Sequence, residues 1–192
     1  AVVVVSRLVV TGGNHHRLHE ELTVSGGYLR DQAFRREERV TRVQQWLDDG
    51  KPTTAAPPLF DALRVRFERH QEAILGAVDA RSKERLRFLT NKLQARKQRE
   101  IDDIRTVLDE LEQAIQSELQ KEQQPEQLSL FTEDERMQLR RDIAALEARL
   151  ARIPEERRME TEAIDSRYAR LEDRTFPVAV IFVVPESARG AA

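Results

Sequence analysis

A run of cations between Arg81 and Arg99 contains the residues best suited to bind a charged partner. Glu84 is the one acid in this run. At about 100° per residue, five of the cations fall within about 60° of one another on one helical face and span about 27 Å of helix axis. We call these five residues the basic stripe; they are Arg81, Arg85, Lys92, Arg96 and Arg99. A row of cations on this scale can follow the phosphates of a nucleic acid.

The basic stripe has a second interpretation, in which it is a solvated helix face paired with acids on a returning helix. Acids that could serve this purpose are Glu160, Glu162 and Asp165. Exposed ion pairs of this kind are common on charged helices and carry no function. Both interpretations stay open at the level of sequence.

The segment Gln127-Leu128-Ser129-Leu130-Phe131 is a candidate partner-binding motif. It resembles the pentapeptide by which bacterial replication and repair proteins bind the sliding clamp, where Leu and Phe enter an apolar groove and Gln orders the entry. The candidate binding residues are Gln127, Leu128, Leu130 and Phe131. The alternative is that the apolar residues cap the end of a helical hairpin, with Phe131 packing onto the first turn after Thr132.

One segment, Gly50-Lys51-Pro52-Thr53, superficially resembles a nucleotide-binding loop. Gln45 stands where that loop needs its first glycine, and Pro52 separates the lysine from the threonine. We therefore expect no ATP site on this chain.

Histidines and glutamates cluster at His15, His16, His19, Glu20 and Glu21. Their spacing matches no zinc signature, so we expect an exposed polar turn and no metal site. No arrangement of serine, histidine and aspartate stands out from the many helix charges. The sequence therefore predicts no catalytic residue and no cofactor on this chain.

The composition bounds the class of protein. Of 192 residues, 34% are charged and only 5% are aromatic, which suits a thin helical core better than a large globular one. The formal net charge is -2, so any basic site must be a local cluster. Without cysteine or an apolar run of membrane-spanning length, we expect a soluble, cytoplasmic chain with no membrane contact. The first residue, Ala1, and the final Arg189-Gly190-Ala191-Ala192 suggest a processed part of a longer protein.

Apolar residues at alternating spacings of three and four predict two long helices that pack along one narrow seam. The first set is Ile101, Ile104, Leu108, Leu111, Ile115 and Leu119, and the second is Leu139, Ile143, Leu146, Leu150 and Ile153. The link between them contains Pro125 and is too short for another element, so we expect an antiparallel hairpin. Thr132 and Glu135 predict a capping box at the start of the return helix. Whether the seam closes within one chain or between two stays open.

A short loop fixes a register in which opposed positions sum to about 254. This register pairs Leu108 with Leu146, and its extension sets Leu86 against Tyr168. It also places Pro154 opposite a gap in the apolar seam of the first helix. We therefore expect a kink or a helix restart at Pro154.

Segments rich in β-branched residues predict strands at residues 2–10, 18–24 and 178–184. The fold class we expect is α+β, mostly α: a long antiparallel helical hairpin, or coiled-coil arm, inserted in a small three-stranded antiparallel β base. Gly76 is the one internal weak point expected in the first long helix. The expected divisions are a β-hairpin at 1–35, a short helix and linker at 36–58, the helical hairpin at 59–174 with its tip at 121–131, a closing strand at 175–186 and a tail at 187–192.

Five segments together resemble one protein family. They are Arg17-Leu18-His19-Glu20-Glu21-Leu22 before Gly26-Gly27, Arg99-Glu100-Ile101 through Leu119, Gln127 through Glu135, Ala151-Arg152-Ile153-Pro154-Glu155-Glu156, and Phe176-Pro177-Val178-Ala179-Val180. The likeness spans nearly the whole chain. It is to the C-terminal region of large bacterial SWI/SNF-type DEAD/DEAH-box helicases, in particular the DrmD helicase family of DISARM phage-defence systems. It assigns no role to an individual residue.

This resemblance implies a non-catalytic C-terminal accessory domain of an ATP-dependent DNA helicase or translocase in phage defence, which contacts DNA or a partner protein. ATP and Mg would be bound by the motor of the parent protein, whose ATPase motifs would lie upstream. The implied partners are double-stranded DNA, the helicase motor domains in cis and other defence-system subunits. Two other classes stay open, namely a structural or oligomerising coiled coil and a DNA repair factor recruited by a sliding clamp.

Overall fold

The computed structural model describes residues 1–122 and 132–187. In chain order its elements are strands β1 (Val2–Thr11), β2 (Arg17–Leu29) and β3 (Phe34–Arg36), helices α1 (Val40–Asp48), α2 (Pro57–Arg69), α3 (Gln71–Glu122) and α4 (Glu133–Arg167), and strand β4 (Glu172–Phe182). The expected α+β, mostly helical fold class is confirmed.

The chain divides into two compact units. We call the first unit the base; it comprises Ala1–Asn91 and Arg170–Ala192. The second unit, the arm, is Lys92–Ala169. The boundary falls inside α3, between Asn91 and Lys92, so the basic stripe has residues in both units.

The base contains an antiparallel sheet of four strands in the order β3-β2-β1-β4. Valine-rich β1 lies in the middle, where β-branched side chains pack best. The expected count of three strands was wrong by one. The extra strand, Phe34–Arg36, is three residues long and has neither a β-branched residue nor an alternating pattern, so nothing in its sequence marks it as a strand.

The closing strand β4 is longer than expected. It begins at Glu172, opposite Thr11, because it pairs with the full length of β1. Val5 pairs with Ala179 and Ser6 with Pro177, so Val178 is an extra, bulged residue.

Helices pack on both faces of the sheet within the base. On the inner face, a buried cluster joins β1 to the first turns of α3; it consists of Val2, Val4, Ile74 and Val78. On the outer face, α1 packs over Gly26, where an added Cβ would lie 3.2 Å from the Val43 side chain and 2.7 Å from the backbone oxygen of Val2. A larger residue at Gly26 would therefore clash with the backbone of β1 and press on α1. This two-sided burial explains the uninterrupted valine run of β1.

The first long helix is broken at His70 and not at Gly76. His70 has φ -111° and ψ 14°, outside the helical region, and separates α2 from α3. The carbonyl of Asp31 accepts a hydrogen bond from the Arg69 guanidinium at 3.1 Å, and the His70 ring lies 3.4 Å from the same oxygen. These contacts with the loop after β2 favour a break at His70, whereas Gly76 carries only a modest helix-propensity cost.

The arm is an antiparallel helical hairpin formed within one chain. Its return helix α4 begins at Thr132 with the expected capping box to Glu135. Its buried cluster contains Leu108, Ile115, Leu119 and Ile153, with Ile104, Leu111, Ile143, Leu146 and Leu150 packed against it. The predicted apolar seam is thus the core of the arm.

The expected register of the hairpin was wrong. The Tyr168 hydroxyl donates to Glu100 at 2.6 Å, and the Arg157 guanidinium donates to Asp109. Glu100 lies about four helical turns, or two heptads, beyond Leu86, which was expected opposite Tyr168. A slide by whole heptads places apolar residues on apolar residues again, so the seam pattern alone could not choose between these registers.

Of the kink or helix restart expected at Pro154, the restart is excluded, because α4 is one helix from Glu133 to Arg167 with Pro154 inside it. Its neighbour Ile153 is 0% exposed. Burial of Ile153 in the seam offsets the hydrogen bond that a proline removes from a helix interior.

Candidate partner-binding surfaces

Two cations of the basic stripe serve the structure of the base. Arg85 makes a bidentate ion pair with Glu21 of β2, in which Nη2 lies 2.8 Å from Oε2. The hydrogen bond from Arg85 holds the pKa of the Glu21 carboxyl below its ordinary value. The Arg85 guanidinium also lies 4.8 Å from the centroid of the Phe88 ring. A residue fixed by two such contacts is positioned to join α3 to the sheet and is poorly placed to reach a phosphate.

Arg81 is also committed to the base. Its Nη1 lies 3.4 Å from Glu84, which accepts a second hydrogen bond from Arg36 of β3 at 2.8 Å. The Nε of Arg81 is buried and has no hydrogen-bond partner among the described residues. Both base residues of the stripe therefore follow the ion-pair interpretation, although the acids they use are not those proposed from the sequence.

The three stripe residues of the arm are exposed. Arg96 pairs with Glu100 at 3.0 Å, one turn along the same helix. The Nε of Arg99 lies 3.4 Å from the carbonyl of Ala95 in its own helix, and Lys92 is an exposed side chain one turn before Arg96. These three cations form the part of the stripe that can meet an anionic partner, and we call them the arm cations.

Two of the three acids proposed to neutralise the stripe pair with other cations. Asp165 lies 2.8 Å from Lys97, and Glu162 lies 2.7 Å from Arg158 within α4. The structure thus contains the expected type of pairing on the return helix, without using those two acids for the stripe.

A polar layer fills the gap in the apolar seam of the arm. Glu100 accepts hydrogen bonds from the Tyr168 hydroxyl at 2.6 Å, from Arg167 at 3.1 Å and from Arg96 at 3.0 Å. Burial opposes ionisation of Glu100, but these donors outweigh it, so its pKa lies below the ordinary value. Burial and the bond to Glu100 raise the pKa of Tyr168. Partly buried polar groups in a helical seam favour one register, because a slide would leave them unpaired.

The outer face of the sheet carries an apolar patch beyond the cover of α1. In one row across the strands, Leu22 of β2 and Phe176 of β4 flank Arg7 of β1. Leu22 is 69% exposed and Phe176 is 49% exposed. The next row places Val5 between Val24 and Ala179; we call these two rows the outer patch.

An ion pair runs from Arg7, in the middle of the outer patch, to Glu20 in the next row. The Nε of Arg7 lies 2.6 Å from Glu20, and Arg17 donates to the same carboxylate at 2.7 Å. The hydrogen bond from Arg7 lowers the pKa of Glu20. Exposed apolar side chains on either side of a charged pair are typical of a protein interaction surface.

A cavity of about 440 Å³ lies in the base, beside the chain that follows β4. Its walls include Trp46 and Lys51 on one side and Val183, Val184 and Pro185 on the other. The Trp46 ring meets the Tyr28 ring edge-on with centroids 5.1 Å apart, which fixes the wall formed by α1.

The other candidate residues from the sequence form no binding site among the described residues. The tip residues Gln127, Leu128, Leu130 and Phe131 lie outside the described residues. His19 lies 3.1 Å from Glu21 and is thereby tied to the base. In residues 1–122 and 132–187 there is no group of three or more His, Cys, Asp or Glu side chains that could hold a metal ion.

None of the described helices is both long and apolar enough to cross a membrane. No protein-family model, no curated protein and no solved structure matches this chain. The surfaces themselves are therefore the basis for a functional proposal.

Proposed function

We propose that this chain is a non-catalytic accessory domain of an ATP-dependent DNA helicase or translocase, and that it acts in phage defence. The base docks through its sheet onto the motor domains, and the arm contacts DNA or a partner subunit. ATP and Mg belong to the motor. The identity of the motor in this proposal comes from the sequence resemblance, and the mode of action comes from the surfaces of the two units.

The observation that carries the proposal is the outer patch. Leu22 and Phe176 project from the sheet into water, and covering their side chains with a partner would lower the free energy of the complex. Burial of apolar surface is worth about 25 cal/mol per Å², and large apolar patches on a folded domain mark interaction sites. The outer patch is therefore the surface through which this domain binds another protein.

Docking is tested by placing aspartate at the outer patch in the native polypeptide that contains this sequence. Leu22→Asp with Phe176→Asp should leave the domain folded, because both side chains are exposed and neither supports the core. After limited proteolysis, the wild-type domain should co-elute with the motor fragments in gel filtration, and the variant should elute alone. Val107→Asp on the arm, also exposed, is the control. Separation of the wild-type fragments would refute docking.

Contact between the arm and DNA rests on the arm cations. Since phosphate contacts release counterions, duplex affinity should fall steeply with salt, with a slope of about -0.9 per phosphate contacted on a log-log plot. Lys92→Gln, Arg96→Gln and Arg99→Gln should each reduce the magnitude of the slope by about one and weaken all sequences equally. Arg105→Gln, an exposed cation of the same helix, is the control. Unchanged slopes in all three variants would exclude these contacts.

The rival class, an oligomerising coiled coil, makes a different prediction about mass. The apolar seam of the arm is already closed within one chain by α3 and α4. We therefore expect the isolated chain to sediment as a monomer. A stable dimer that becomes a monomer when Ile115→Asp is introduced would favour the oligomerising class.

A further inference from the structure

We propose that the open edge of β4 binds an extended peptide segment of the partner, which pairs with residues 180–184 as a fifth strand of the sheet. A bulky apolar side chain of that segment fills the cavity beside Trp46. This inference rests on the proposed function only in taking the partner of the base to be a protein.

The pairing of β4 with β1 determines which main-chain groups face the open edge. Ala1 and Val183 exchange both backbone hydrogen bonds, at 2.7 and 2.9 Å. In an antiparallel ladder, hydrogen-bonded and non-hydrogen-bonded pairs alternate. The pairs Val2–Phe182 and Val4–Val180 are therefore of the second kind. Their N–H and C=O groups on β4 point away from β1.

These outward groups of Val180 and Phe182 form a short ladder of donors and acceptors, and Val183 and Val184 continue the chain beyond it. β4 is the last strand in the sheet order, and no described residue pairs with its outer side. Val180 is 40% exposed and Ile181 is 37% exposed, so a partner strand can reach this edge. An extended chain satisfies such a ladder directly, whereas a helix has no free main-chain groups to offer it.

The other half of β4 is protected from pairing. Pro177 is opposite Ser6 in a non-hydrogen-bonded position, so its nitrogen faces the open edge without a hydrogen to donate. Val178 is bulged, and a bulge twists an edge away from a second strand. The edge is thus blocked at 177–178 and available at 180–184, which makes it a site of defined length.

The cavity lies beside the end of β4 at which such a strand would pair. Its walls include Val183, Val184 and Pro185, which continue β4, and Trp46 of α1. At about 440 Å³ it falls within the range of pockets that accept an aromatic or large aliphatic group. Main-chain pairing beside a side-chain pocket is the arrangement by which strand addition obtains both affinity and specificity.

The inference is tested by selecting short random peptides displayed on phage against the folded chain. An enriched peptide is then synthesised and its binding measured by fluorescence anisotropy. We expect enrichment of extended sequences with one aromatic or large aliphatic anchor. Two sets of peptides carry N-methyl groups, one on the odd-numbered amides and one on the even-numbered amides. Methylation should abolish binding in one set and be tolerated in the other, because only one edge of the peptide faces β4.

Two variants and one control connect binding to the edge. Val180→Pro removes an outward N–H without removing a bond to β1, and Val184→Asp puts a charge in the cavity wall; each should weaken binding by at least about tenfold. Leu22→Asp, in the outer patch, should leave peptide binding unchanged and so separates this inference from docking. Melting curves show whether the variants fold. The N-methylated peptides are tested on the wild-type chain, so that test does not depend on the folding of any variant.

Three outcomes would overturn the inference. One is that no peptide is enriched. Another is that methylation in either phase is tolerated, which excludes strand pairing. The third is that the wild-type chain dimerises and Val180→Pro makes it monomeric, since the edge would then belong to a second copy. The outer-patch variants test docking separately, so a failure of docking alone would leave the peptide site at the edge of β4 unaffected.

Discussion

Replacing Ile153 by alanine should destabilise the arm more than any other single truncation on α4. Ile153 is 0% exposed and lies in the buried cluster of the seam. The change removes three buried carbons at about 0.8 kcal/mol each, or about 2.4 kcal/mol. The cavity adds to this, and alanine returns a few tenths of a kcal/mol in helix propensity. We expect a loss of about 3 kcal/mol.

The assay is urea denaturation followed by circular dichroism, with hydrogen exchange to show that the loss lies in the arm. Val107→Ala is the matched control, because Val107 is 59% exposed on α3. Its unfolding free energy should stay within about 0.5 kcal/mol of wild type. Equal effects of the two substitutions would show that Ile153 is not in a packed seam and would refute the arm as described.

Two further predictions concern the register of the arm and the acid stability of the base. Cysteines at Asp109 and Arg157, an ion pair outside the polar layer, should be joined within one monomer by a short bifunctional maleimide. Cysteines at Leu108 and Leu146 should not, because Leu146 lies about 20 Å along α4 from the level of Leu108; joining of only the second pair would restore the register expected from the loop. Glu21 has a lowered pKa, so it stabilises the base above the ordinary value of 4.5, and this contribution is lost as the pH falls through the lowered pKa. Melting temperatures of Glu21→Gln should therefore fall less between pH 6 and pH 3 than those of wild type, and parallel curves would contradict the assignment.

The sequence predicted those elements that local patterns determine. The seam residues from Ile104 to Ile153 repeat at helical spacing, and they form the core of the arm. Thr132 and Glu135 have the spacing of a capping box, and both of its hydrogen bonds are present. The valines of β1 predicted a strand, and their apolar character on both faces corresponds to cover by α1 and α3.

The errors occurred where the outcome depends on contacts distant in sequence. The register of the arm is selected by the polar layer around Glu100 and Tyr168, and a heptad pattern is unchanged by a slide of whole heptads. Strand β3 exists because Phe34 to Arg36 pair with β2, not because of their own propensity. In each case tertiary pairing outweighed local preference.

The candidate surfaces were only partly accessible from sequence. The basic stripe was visible as a run of cations, but the ion pair between Arg85 and Glu21 joins residues far apart in the chain. The outer patch was missed because Leu22 and Phe176 become neighbours only across β1. One signal was present in the sequence. Leu22 and Thr23 lie on opposite faces of β2, so Leu22 was an apolar residue on a face for which no covering element had been predicted.

The most direct test of the central claim is photo-crosslinking at the outer patch in cells that produce the native polypeptide. A benzophenone amino acid replaces Phe176, and the crosslinked peptides are identified by mass spectrometry. Our account predicts crosslinks to peptides of an ATP-dependent helicase motor, with Val107 on the arm as the control position. Crosslinks found only to a second copy of this chain, or none above the level of the control, would contradict it.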